Sequence, residues 1–450
     1  MKRFLERCLA QPVLIERARL EPAVVAAEAG VVLDPKEFQA VWDIEYAVAN
    51  GEGAASPLTR EYQGMLAGRL AYRDGMRETC GDVTPRYATW RRRQMARAEL
   101  ELGPGAVDAI VHSNVSIELS QGCSGGCWFC GLAAPRLSGV HPYTEETGRA
   151  WRELLAGLRR TLGPGVRHGF CYWATDPLDN PDYEKFCCDF HDVLGVFPQF
   201  TTALALRDVE RTRRLLHLAE ERQGAINRFS VLSTAQLDKV HAAFSAEELI
   251  LVECVPQNPE SRVMLAPVGR ARNRSGKARA RKAPSRAQDL AVTIACVSGF
   301  LINMVERTVK LISPCPASER WPLGYRLWVE AGFADVDTLL GAVQSMIDDQ
   351  MRQSVAELPV VAFNDSITFA PLAGGFKLAS KWAEIRYTNA DPANPTSAYL
   401  RELGQMVVDG VSGADAIALV SFYRHGVPTA ITLHWLESLF GKGLLREQIG

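Results

Sequence analysis

An α/β fold is expected for this 450-residue chain, and three observations point to it. From residue 113 onward, strand-like runs and helical periodicities alternate, the pattern of parallel βα units. Five or six such units are present, too few for a closed eight-stranded barrel, so a partial barrel is expected. A cysteine-rich loop directly follows the first strand, which puts it at the carboxyl end of a parallel strand, where α/β barrels carry their sites. Three regions result: a helical region over 1–112, the partial barrel over 113–325, and a C-terminal region over 326–450.

The first region shows no strand pattern. Ser56-Pro57 reads as a helix start with Pro in the first position, and Leu58, Tyr62, Met65, Leu66 and Leu70 continue it as an apolar stripe. Thr84-Pro85 starts another helix, containing Trp90-Arg91-Arg92-Arg93-Gln94. In the second region the expected strands are 114–120, 168–174, 199–204, 227–232, 248–255 and 291–302. Helices are expected at 145–162, 181–194, 207–223 and 234–244, and a further strand at 308–313. The third region has short alternating segments near 360–363, 366–369 and 376–379. A turn, Asp391-Pro392-Ala393-Asn394-Pro395, and three helical patterns follow.

Composition bounds the function. With 47% hydrophobic residues the chain can bury a sizeable core, and a net charge of −2 gives no global bias toward nucleic acid or anionic membranes. The apolar stretch at 293–305 is too short to span a bilayer, and Glu6 and Arg7 interrupt any signal-peptide core. Eleven cysteines without a regular framework suit a reducing, cytoplasmic compartment. Residues 268–288 contain eight Lys and Arg and no acid, the composition of either a solvated loop or a dock for an acidic segment or phosphate.

The most specific motif is Cys123-Ser-Gly-Gly-Cys127-Trp-Phe-Cys130. Three thiolates at this spacing can hold one face of a [4Fe–4S] cluster and leave one iron open. A structural zinc site would call for four ligands in paired spacings, and no second pair lies nearby. The motif and its place after the first strand resemble the radical S-adenosylmethionine (SAM) enzymes. That resemblance implies a partial (β/α)6 barrel, one [4Fe–4S] cluster on Cys123, Cys127 and Cys130, SAM on the open iron, and an electron donor such as flavodoxin or ferredoxin. It further implies SAM contacts from Phe129, from Thr175 and Asp176 after the second strand, and from Ser230 and Ser233 on the fourth. Asp176 also fits a plain turn, since Asp-Pro and Asp179-Asn180-Pro181 are strong turn chemistry.

Cys315, in Ser313-Pro314-Cys315-Pro316, follows a strand and is held between prolines. A fixed neutral thiol can return a hydrogen atom to a carbon radical. A small buried hydrophobe is the ordinary alternative, and Cys171, Cys254 and Cys296 are further donor candidates. The Trp90–Gln94 run, the cluster motif, Asp176-Pro-Leu-Asp-Asn-Pro-Asp-Tyr183 and the Cys315 segment together resemble polytheonamide-type peptide epimerases. The resemblance implies conversion of L- to D-residues in a ribosomally made precursor peptide with a leader segment. The C-terminal region, by its short strands followed by three helices, itself resembles the small α+β winged-helix-like fold that grips leader peptides; a helical cap over the barrel is the alternative. Other outcomes kept open are a crosslinking, excising or methylating radical SAM maturase, and a zinc-stabilised nucleic-acid-binding protein.

Overall fold

The computed structural model describes residues 1–51, 56–78, 84–224, 226–263, 266, 268–272 and 292–447. Its architecture is mixed α/β. No described helix is long and apolar enough to cross a membrane.

The N-terminal helices Lys2–Ala10, Val13–Leu20 and Pro22–Glu28 enclose a small core of Phe4, Ile15, Val25, Phe38 and Trp42. The long helix Pro57–Glu78 starts at the expected proline, but its stripe is not a core face: Leu66 and Leu70 are exposed. Helix Pro85–Leu102 is different. Its Trp90, Arg91, Arg93 and Gln94 are all buried. The Tyr87 hydroxyl donates to the Ser298 carbonyl at 3.0 Å, and Arg91 Nε donates to the His112 carbonyl at 2.8 Å. Arg93 and Gln94 reach Glu447 at 2.7 and 2.9 Å. The Trp-Arg-Arg-Arg-Gln run therefore fastens the central α/β region to the C-terminal unit.

The central strands are β1 (Ser113–Glu118), β2 (Ser120–Gln121), β3 (Gly139–Val140), β4 (Thr201–Thr202), β5 (Asn227–Val231), β6 (Val252–Pro256), β7 (Val297–Asn303), β8 (Thr308–Pro314) and β9 (Tyr325–Gly332). Parallel β4, β5 and β6 form one sheet; β1, β7, β8 and β9 form another. The expected strand at 168–174 meets β1 by a single parallel bridge between Ser116 and Phe170. The Ser116 hydroxyl donates to the Tyr172 carbonyl at 2.5 Å, doing the work of a ladder bond there. The sixth of the expected strands, β7, lies parallel to the first and is hydrogen-bonded to it. The long connection from Pro256 to Val297 lets the chain return to the other flank, and β8 and β9 extend that flank antiparallel.

The expected helices appear as Glu145–Leu162, Tyr183–Leu194, Val209–Glu221 and Thr234–Ala243. Glu145–Leu162 opens with a capping box between Thr144 and Thr147 and buries Trp151, Leu154, Leu155, Leu158 and Leu162 against the sheet. Helix Val336–Gln350, unannounced by any reading of the sequence, adds Leu339, Val343 and Ile347 to the same core.

A second core begins at Val355. Strands β10 (Thr368–Leu372), β11 (Gly375–Ala379) and β12 (Glu384–Thr388) form an antiparallel sheet. Helices Pro395–Asp409, Ala414–His425 and Thr429–Gly441 follow it.

Candidate functional site

The cysteine loop leaves β1 and returns through β3, which pairs with β2. Its two limbs are stitched together by Cys123 N–H donating to the Pro135 carbonyl at 2.9 Å. Gly122 makes this closure possible. Its φ is +75°, and a Cβ there would lie 2.3 Å from the Arg136 carbonyl oxygen.

The thiols of Cys123, Cys127 and Cys130 are all partly exposed. Backbone amides already point at two of them: Gly125 N–H at 3.2 Å from Cys123 Sγ and Ala134 N–H at 3.4 Å from Cys130 Sγ. Such amides favour a thiolate and tune a bound cluster. Burial pushes the free thiols of Cys123 and Cys127 up to about 11. Metal coordination would have to supply the deprotonation. An opening of about 810 Å³ lies over the loop, with Cys123, Ser124, Trp128, Arg136 and Arg270 in its wall.

A clamp that the sequence did not announce holds the loop. Asp179 is buried, and its carboxylate accepts from Ser124 N–H at 2.8 Å and from Arg207 Nη1 at 2.9 Å. Arg207 also bonds the Ser124 hydroxyl at 2.9 Å and the Leu178 carbonyl. Arg270, from the start of the basic segment, donates to the Cys127 carbonyl at 3.2 Å and to the Ala134 carbonyl. The segment's other described cation, Arg272, bonds the Ser318 carbonyl at 2.7 Å; its remaining cations lie outside the described residues.

Asp176 sits close enough to Cys123 and Cys127 to raise both thiols further. Its own oxygens are engaged by Thr202 Oγ1 at 2.7 Å, Ala203 N–H at 2.8 Å and Leu178 N–H at 3.0 Å. Burial nevertheless pushes it up to about 6. It joins the second strand position to β4 and caps the turn at Pro177. Thr175 Oγ1 beside it is buried with no hydrogen-bond partner. Phe129 is half-buried, edge-on to Trp128 at 5.6 Å. Ser230 is half-buried on β5, whereas the Ser233 hydroxyl accepts from Gln236 N–H at 3.1 Å as a helix cap.

Glu118 is a further residue that sequence reasoning missed. It ends β1 and accepts from Ala174 N–H at 2.7 Å and Asn303 Nδ2 at 3.0 Å. Burial pushes it up to about 7. The only signal was its place at a strand end.

Cys315 does not share the opening over the cluster loop. Register puts Thr308 two strands from Glu118, and Cys315 follows the other end of β8, roughly 20 Å along the sheet. It is buried, pushed up to about 12, and lines a separate cavity with Arg97, Glu101 and Arg326. Among the other thiols, Cys171 and Cys254 are packed in the core on the helical side, Cys254 against Glu6 and His241. Cys296 lies within electrostatic reach of Tyr172 and Arg228. Arg228 and its ion-pair partner Glu253, at 2.9 Å, alternate with the core residues of β5 and β6. Both side chains are about half exposed.

A protein of Sinorhizobium fredii described as the uncharacterized protein y4wI is 36% identical over 462 residues, an alignment covering all of this chain and 87% of that protein. The chain belongs to the y4wI family. No family model matches it. A structure of BtrN in complex with AdoMet and 2-DOIA aligns with 44% of this chain and 71% of that chain, at 13% identity and a TM-score of 0.29, too slight a likeness to carry an argument about the y4wI family.

Proposed function

We propose that the protein is a radical SAM enzyme that modifies a peptide. The observation that carries this reading is the cysteine loop itself: three part-exposed thiols beyond the carboxyl end of β1, two of them facing backbone amides, at a spacing that offers three ligands and no fourth. The residues fit the group. Cys123, Cys127 and Cys130 would hold a [4Fe–4S] cluster, and SAM bound there would supply a primary carbon radical able to remove a hydrogen atom from an unactivated C–H bond. The chain's share is to fix the loop through Gly122, Asp179 and Arg207.

The narrower proposal is L-to-D epimerisation of residues in a ribosomally made precursor, with a Cys thiol returning the hydrogen atom to the planar Cα radical. It rests on the sequence resemblance. The thiyl radical left behind requires one electron and one proton from an external donor such as flavodoxin or ferredoxin. Helix Ala414–His425 offers Leu419, Phe422 and Tyr423 to solvent at i, i+3 and i+4, an apolar face suited to a leader peptide. The separate cavity of Cys315 makes Cys296 the competing donor.

The test is anaerobic incubation with reductant, SAM and a candidate precursor in heavy water. Unchanged peptide mass in light water, with one deuterium and one D-residue per event in heavy water, supports epimerisation. Loss of two hydrogens identifies a crosslinking enzyme instead. Cys315→Ala and Cys296→Ala are run in parallel, and the donor is the one whose loss leaves SAM cleavage intact but stops D-residue formation. A protein that binds no iron or sulfide and cleaves no SAM overturns the whole reading.

A further inference from the structure

The seam between helix Pro85–Leu102, the end of β8 and the C-terminal unit contains a cavity of about 320 Å³. Three charged side chains in its wall are more than nine-tenths buried: Arg97 at 8%, Glu101 at 5% and Arg326 at 7% exposure. Glu101 accepts from Arg97 Nε at 2.9 Å, from Arg326 Nη2 at 2.6 and 2.5 Å, and from the Ser366 hydroxyl at 3.2 Å. One carboxylate therefore serves two buried guanidinium groups.

The other acids nearby are already committed. Glu447 is engaged by Arg93 and Gln94, and Asp365 at the rim pairs with Arg446. Cys315 in the same wall contributes no negative charge, because burial keeps its thiol protonated. Arg326 Nη1 is buried without a hydrogen-bond partner. Arg320 at the mouth is exposed and packs over the Trp321 ring at 5.1 Å, adding a further positive charge. Burial and the facing Arg326 charge both lower the proton affinity of Arg97. A buried positive charge with an unused, rigid fork of donors is costly unless an anion completes it.

We propose that this seam binds an anionic group, a carboxylate or a phosphate, held by Arg326 and Arg97 with Arg320 at the entrance. The site joins the barrel to the C-terminal unit, so its occupant would strengthen that junction. The inference is independent of the cluster chemistry.

Isothermal titration of the full-length protein at low ionic strength, with inorganic phosphate and with glutarate, tests it. Glutaramide serves as the neutral control. Saturable binding of about one anion per chain is expected, with no response to glutaramide. Tighter phosphate binding assigns a phosphate ligand, and tighter glutarate binding a carboxylate. Arg326→Gln should weaken binding at least tenfold. Glu101→Gln should tighten it, because the internal competitor is lost, whereas a merely structural role would move both variants the same way. Arg320→Ala, at an exposed position that leaves the core intact, should weaken binding severalfold and decides the matter if the buried variants do not fold. No saturable binding by the unmodified protein overturns the proposal, as does binding that survives Arg326→Gln or Arg320→Ala unchanged.

Discussion

Replacing Asp179 by alanine isolates the clamp on the cysteine loop. The side chain is buried and removes no apolar packing of consequence, so the change acts through its hydrogen bonds. Three links are lost: Ser124 N–H at 2.8 Å, the Ser124 hydroxyl, and Arg207 Nη1 at 2.9 Å. A hydrogen bond to a charged partner contributes about 1.5–3 kcal/mol. Arg207 has 45% of its side chain exposed, so water takes over much of its side of the pair. Ser124 is exposed and its hydroxyl also turns to water, so the loss is mainly the bond that orders the Ser124 amide, about 2 kcal/mol, or roughly a 30-fold shift toward the open loop. Hydrogen–deuterium exchange measured on the peptide spanning 120–127 reads this directly, without needing a cluster. Protection should fall about 30-fold in Asp179→Ala and by less in Asp179→Asn, which keeps one oxygen acceptor. Exchange in Asp179→Ala within threefold of the unmodified protein would refute the clamp.

Other perturbations test neighbouring parts. Alanine at Cys123, Cys127 or Cys130 should abolish bound iron and sulfide and with them SAM cleavage; retained cluster content would remove that thiol from the ligand set. Gly122→Ala places a Cβ 2.3 Å from a carbonyl oxygen at φ +75°, so the loop must shift; cluster retention against a chelator should drop sharply with little change in melting temperature. Glu118 supplies a pH signature. Its carboxyl is raised from 4.5 to about 7 in the folded protein, so between those values the folded state holds more protons than the unfolded one. Its contribution to stability is therefore greatest below pH 4.5 and declines as pH rises to about 7, by about 3 kcal/mol at most. Urea unfolding midpoints across that range should show this slope in the native protein and lose it in Glu118→Gln; equal slopes would place the carboxyl in water.

Much of the central α/β region was legible locally. Helix Glu145–Leu162 was expected to the residue, because its apolar period and its Gly163 stop are local signals. Strand β9 and helix Val336–Gln350 were missed. Only Leu339, Val343, Met346 and Ile347 of that helix are buried, and its burial depends on where the barrel core ends. The second strand was expected as a full strand and survives as one bridge, since a serine hydroxyl replaces a backbone donor there. At the site, the ligand thiols were plain from spacing. The clamp was not, because Asp179 and Arg207 meet Ser124 only after two βα units have folded.

The sequence by itself determined the α/β alternation, the helical ends and the three thiols, since each is written in spacing a few residues long. Tertiary structure alone decided that β7 returns to flank β1, that Asp176 spends its oxygens on its own backbone and on Thr202, and that Cys315 opens into a different cavity from Cys123. These depend on strand order and register, which bring together residues hundreds of positions apart. The pairing of β8 antiparallel to β7 sends the Cys315 segment to the opposite end of the sheet from Glu118, and no local pattern around the cysteine records that direction.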